Sequence, residues 1–127
     1  MERNIGGMQV INLSEKLSQF SEHWRPKIVA RLNGQELKVV KIMGEFPWHS
    51  HAEVDEMFFG WKGQFRLEFR DQVVVVSPGE CVVVPRGVEH RPVAEQEAEI
   101  LLFEPSGVQN TGDFFDERFT APIDHVL

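Results

Sequence analysis

At 127 residues, with 42% hydrophobic and 26% charged side chains, the chain has the size and balance of one small soluble domain with a single core. A formal net charge of −7 and the lack of any Lys/Arg cluster argue against nucleic acid or an anionic membrane as a partner. No apolar stretch approaches a membrane span, Met1-Glu2-Arg3-Asn4 is no secretory leader core, and the one cysteine, Cys81, leaves no internal disulfide, so a cytoplasmic location is the expectation.

Residues 12–24 read as one amphipathic helix. Asn12 can cap it with Glu15 three residues on, and Leu13, Leu17 and Phe20 share a face that Trp24 continues. Arg25-Pro26 ends it, because the residue before proline avoids the α region. Everything beyond reads as β. Asn33-Gly34 is a two-residue hairpin turn between strands at 28–32 and 37–43. Residues 64–70 alternate, with Phe65, Leu67 and Phe69 on one face and polar or charged side chains on the other. The runs 73–76, 81–84 and 100–103 are short and unbrokenly apolar, bounded by turns such as Ser77-Pro78-Gly79 and Pro85-Arg86-Gly87, which suits strands covered on both faces. Residues 106–127 have no clear period and are expected to form loop, with room for one helical turn. Seven or eight short strands in so small a chain indicate a sandwich or a small barrel, and periodicity does not choose between them.

His49-x-His51, then Glu56, then His90 are the residues that carry chemistry. Three imidazoles and a carboxylate suit a borderline divalent transition metal. Alternate residues of a strand face one side, so His49 and His51 would point together. A wide turn through 52–55 would bring Glu56 in from the adjoining strand, and His90 would arrive from a later one. Glu53 and Asp55 read as solvated, His23 and His125 as structural or exposed, Cys81 as a small buried hydrophobe, and Glu104 as a rim or turn contact. Trp48 and Trp61 are expected to cover the barrel. Phe58, at the parity of Glu56, is expected to wall a pocket that Phe46 and Trp48 help to keep dry.

The surrounding residues resemble a known family. Gly44-x4-His49-x-His51-x4-Glu56-x6-Gly63 is similar to the first cupin motif, and Gly79-x5-Pro85-x-Gly87-x2-His90 resembles the second. Two departures are visible. The first spacer is one residue short of the usual pattern, and the last motif position, often Asn, is Ala94. The resemblance implies an all-β fold, a double-stranded β-helix or jelly-roll barrel of the RmlC-like kind, with a short N-terminal helix. One domain over 1–127 is expected, with a helical segment at about 12–24, a barrel at about 27–105 and a tail at 106–127. The family spacing selects Glu56 over Glu53 and Asp55, so the implied metal ligands are His49, His51, Glu56 and His90. Zn, Fe, Mn and Ni all remain open as the divalent ion. A homodimer through the valine-bearing outer sheet is expected by the same likeness.

The function implied is that of a small metal-dependent enzyme acting on a small oxygen-rich molecule such as a sugar or organic acid. Dioxygenase, isomerase and lyase chemistries all fit, and the likeness extends to the mannose-6-phosphate-isomerase-like group. The alternative is a non-catalytic small-molecule-binding or sensing module. A storage role is the third reading. No second ionisable residue stands out as a general base.

Overall fold

The computed structural model describes residues 3–5 and 8–127, and among them β-structure dominates with one short helix. Strands β1 (Arg3–Ile5) and β2 (Met8–Val10) form a small two-stranded sheet. Helix α1 (Leu13–Leu17) follows, and then seven strands make one antiparallel sheet: β3 (Lys27–Leu32), β4 (Gln35–Glu45), β5 (Glu56–Lys62), β6 (Phe65–Phe69), β7 (Val73–Val76), β8 (Cys81–Val84) and β9 (His90–Pro105). No helix among the described residues is long and apolar enough to cross a membrane.

The helix is much shorter than the apolar spacing over 12–24 predicts. Asn12 does cap it, accepting from the Glu15 N–H at 2.9 Å. Ser18 then turns back, its Oγ donating to the Glu15 carbonyl at 2.6 Å, a local bond that competes with helix continuation. Beyond it the backbone is claimed by β4: Lys41 Nζ donates to the Phe20 carbonyl and the Trp24 N–H to the Lys41 carbonyl. Trp24 leaves the stripe altogether, at φ 62°, and packs on the barrel interior instead of beside Leu17.

Closure of the sheet rests on β9. This 16-residue strand pairs with β4 along most of its length, while its first half pairs with β6 and its second half with β5. Irregularities between Ile42 and Gly44 and between Gly60 and Lys62 let the partners bend where β9 changes neighbour. The result is a rolled antiparallel barrel, the expected jelly roll. The hairpin at Asn33-Gly34 forms as read, with φ of 52° and 76°, the positive pair that matches the twist of β3 and β4.

Two cores lie on opposite faces of this sheet. Val40, Ile42, Phe58, Leu67, Ile100 and Leu102 point inward and fill the barrel. Their neighbours Val39 and Leu101 point outward and are covered by Leu17 of α1 with Val29. That is why 100–102 is unbrokenly apolar: each face has its own cover. At β7 and β8 the chain itself covers one face only. Each is an end strand, paired only with β6 and only with β5. Val76 and Val84 are buried, but Val73, Val75 and Val83 are 57%, 55% and 52% exposed, and Cys81 is exposed rather than a buried hydrophobe.

Residues 106–127 form turns and no helix, yet they are firmly placed. Val126 bridges Ile28 in parallel, the Leu127 N–H donates to the Ile28 carbonyl, and Thr111 is completely buried.

Candidate metal centre

The structure brings His49, His51, Glu56 and His90 together, all four buried, with one ligand-type atom from each lying within 4.8 Å of the others. The local backbone differs from the two-histidine strand expected. His49 forms an isolated antiparallel bridge with His90, exchanging N–H···O=C bonds of 3.0 and 2.9 Å, and His51 lies just past it. The Gly87 N–H donates to the His51 carbonyl at 2.8 Å, so the second motif's turn fixes the first motif's loop. Glu56 opens β5, opposite Val84 of β8, and His90 opens β9. Glu53 and Asp55 are exposed as expected, Asp55 capping the turn through the Arg86 N–H at 2.8 Å.

Polarity at the centre is one-sided. His90 Nδ1 lies 2.8 Å from the Val88 carbonyl and His49 Nδ1 lies 3.0 Å from that of Pro47. A carbonyl only accepts, so both Nδ1 atoms carry hydrogen and Nε2 is the ring atom each imidazole can offer to an ion. Burial, and next the neighbouring His90, push His49 down to about 4, which keeps it neutral at pH 7. Burial alone would raise the Glu56 carboxyl, but the facing imidazoles of His51 and His90 override it and hold Glu56 well below the usual carboxylate range. Its Oε1 stands 3.3 Å from His90 Nε2 and 3.5 Å from His51 Nε2. His51 Nε2 is buried with no hydrogen-bond partner. Converging acceptors around an orphaned ring nitrogen are what a bound cation completes, and the donor set fits a divalent transition ion.

His49 and Glu56 form the polar end of a cavity of about 30 Å³. Its buried walls come from β4, β5 and β9, and Phe58 is one of them, with its ring centroid 5.9 Å from that of His90. Phe46 also lines it, but Trp48 does not. The Trp48 ring lies outside, under the Arg70 guanidinium at 3.9 Å, with Arg91 at 5.0 Å. Trp24 takes the lining position, stacked on Phe46 at 4.9 Å. Trp61 is 37% exposed.

The family model described as the cupin domain matches residues 37–104, more than half of the chain, and spans all four of these residues. This chain is a cupin. A cupin-2 domain containing protein from Shewanella frigidimarina NCIMB 400 is 45% identical to it, with a TM-score of 0.75 over 76% of this chain and 94% of that one. Protein NMB1881 from Neisseria meningitidis is 35% identical, with a TM-score of 0.71 over 76% and 99%. The uncharacterized protein YdbB of Bacillus subtilis (strain 168) is 26% identical over 80 residues, and the match spans 65% of that curated relative, just under two thirds of its length.

One residue of this cupin's site differs from its sequence reading. Glu104 is no rim contact but 2% exposed, at the end of β9 behind Glu56. Its Oε1 accepts from Lys38 Nζ at 2.9 Å, its Oε2 has no donor, and the carboxyl rests against that of Glu56. Burial first, then the charge of Glu56, push Glu104 well above the usual carboxylate range. The signal was strand parity: Glu104 shares the inward face of Ile100 and Leu102. His23 and His125 stay away from the centre, paired with Glu97 and with Lys27.

The cupin's tail supplies the other unexpected contact. A Cβ on Gly112, at φ 70°, would sit 2.1 Å from the Ser50 carbonyl oxygen, between the two motif histidines. Gly112→Ala is therefore expected to cost about 2–4 kcal/mol, from left-handed backbone strain plus overpacking. Urea midpoints measure it, and a variant within about 0.5 kcal/mol of wild type would show that the tail yields freely.

Proposed function

We propose that His49, His51, Glu56 and His90 hold one divalent transition metal, Zn, Fe, Mn or Ni, and that this cupin is a small metal-dependent enzyme. The reaction classes in keeping with the site are oxygenation, isomerisation and lyase chemistry on a small molecule that meets the ion through oxygen. The observation carrying this reading is the buried, unpartnered His51 Nε2 within a four-residue cluster, two of whose members, His49 and Glu56, also line a cavity. A structural site would use its ligands to close the shell, whereas a catalytic one keeps a position for substrate. When bound, such an ion supplies Lewis acidity, a more acidic bound water or a template for a chelating substrate.

The protein's own share of the work is positional. The Val88 and Pro47 carbonyls orient the His90 and His49 rings, Glu104 backs Glu56, and the aromatic walls exclude water from the cavity. Elemental analysis of protein purified without chelator or an imidazole column is expected to find close to one metal ion per chain in wild type and little in His49→Ala. Metal-dependent loss of a substrate from a panel of acids, diketones and thiols, with oxygen present, then supports catalysis. Saturable binding without turnover would instead make the protein a binding or sensing module. Absence of metal in wild type even after reconstitution would sink the metal reading.

A further inference from the structure

We infer that the ligand of this site carries one anionic, metal-seeking head on a short apolar body, and that polyhydroxylated molecules are excluded. The inference rests on the metal reading above and deepens it. Its ground is which polar atoms in the cavity are still free. Among the described residues, four that line the cavity offer side-chain polar atoms: His49, Glu56, Trp24 and Asn110, and the Trp24 Nε1–H is already spent on the Met43 carbonyl at 3.1 Å. The first two belong to the ligand cluster. Both hydrogens of the Asn110 amide are committed, with Nδ2 donating to the carbonyls of Phe119 at 2.9 Å and Trp24 at 3.4 Å, while Oδ1 accepts from the Ala121 N–H at 2.9 Å. Away from the metal end, the lining side chains leave no free donor for a hydroxyl on the ligand and at most the second lone pair of Asn110 Oδ1 as an acceptor.

What surrounds the body instead is hydrocarbon. Ile42, Phe58, Ile100 and Leu102 are all buried, and Trp24 with Phe46 narrows the mouth. A hydroxyl placed against these walls gives up its water and gains nothing, which a hydrophobic pocket converts into discrimination of roughly tenfold to a hundredfold. At the polar end the balance runs the other way. A divalent ion with Glu56 as its only anionic ligand and neutral imidazoles retains one uncompensated positive charge, and an anionic head neutralises it in a poorly screened setting. A cavity of about 30 Å³ has room for little more than one small group as it stands, so each carbon added to the body must be met by movement of the walls.

The test is calorimetric titration of zinc-reconstituted protein with two carboxylates of equal heavy-atom count, valerate and 4-hydroxybutyrate, followed by the linear series from acetate to hexanoate. Valerate is expected to bind at least about tenfold more tightly than its hydroxylated isostere. The series is expected to pass through an optimum that Leu102→Ala shifts by one or two carbons toward longer chains. Ile100→Val, a milder trimming of the same wall, serves if the first variant does not fold, and should shift the optimum the same way. Equal or tighter binding of 4-hydroxybutyrate, affinity independent of chain length, or no binding of either acid by metal-loaded protein would overturn the inference while leaving the metal centre standing. The ion count on the same samples separates that result from failure of the metal reading itself, since protein that takes up no zinc overturns both.

Discussion

His51→Ala is expected to abolish stoichiometric metal while leaving the barrel folded. The side chain is buried, but its Nε2 has no hydrogen-bond partner, and the cost of removing it falls on Glu56 Oε1, 3.5 Å away, which keeps His90 Nε2 at 3.3 Å. Neither hydrophobic core includes it. Loss of one ligand of four removes a metal bond outright, and even residues that merely orient a ligand change affinity by about 10–100-fold, so a fall of more than about 100-fold is expected here. A thermal melt reads both halves of the claim. Wild type should gain stability on adding zinc, by about 2.7 kcal/mol at a hundred times the dissociation constant, and His51→Ala should gain almost none. A variant that is unfolded before any metal is added would show that the site is structural and not a pocket for chemistry. A variant that still holds one tight ion would remove His51 from the ligand set.

Lys38→Met is expected to destabilise the fold from outside the centre. The Lys38 ammonium is nearly inaccessible and lies between two buried carboxylates, 2.9 Å from Glu104 and 3.7 Å from Glu36. Arg31 Nε and Ser106 Oγ, at 3.0 and 3.2 Å, also bind Glu36, but Glu104 has no other cation within ion-pair distance among the described residues. Removing the ammonium lets Glu104, already pushed toward its neutral form, lose its hydrogen-bond donor, and leaves the buried Glu36 carboxylate to Arg31 and Ser106 alone, at a cost of about 1–3 kcal/mol. The double variant Lys38→Met with Glu104→Gln should recover part of that loss, because the amide replaces a carboxyl that must first take up a proton. Denaturant midpoints of the two variants decide it. A single variant within about 1 kcal/mol of wild type would show that Glu104 stays protonated and neutral without help from Lys38.

These two residues also mark where sequence reading succeeds and where it stops. The four centre residues stand out because side-chain chemistry and motif spacing act together: imidazoles two apart, a carboxylate after a turn, and a third imidazole after a proline–glycine turn. The structure assembles them, though through a bridge between His49 and His90 and not along one strand. The jelly roll was legible from strand count and motif order, and the hairpin at Asn33-Gly34 from turn chemistry. Lys38, Glu104 and Trp24 were not, for three separate reasons. A charged residue in a strand reads as solvent-facing unless its parity is tracked against a distant partner, as with Lys38 and Glu104. Trp24 keeps helical spacing with Phe20, but Lys41 draws the intervening backbone to β4 and overrides that local preference. The valines of β7 and β8 are a different case, because an unbroken apolar run does not reveal that its strand stands at the end of a sheet, where the chain itself covers one face only.

The contact between Gly112 and Ser50 makes residues 106–127 part of the site's outer wall. The Ser50 carbonyl lies between His49 and His51, and Asn110 of the same segment lines the cavity. A change far along the chain from both motifs can therefore reach the centre through backbone contact alone, by shifting the loop that carries its first two histidines.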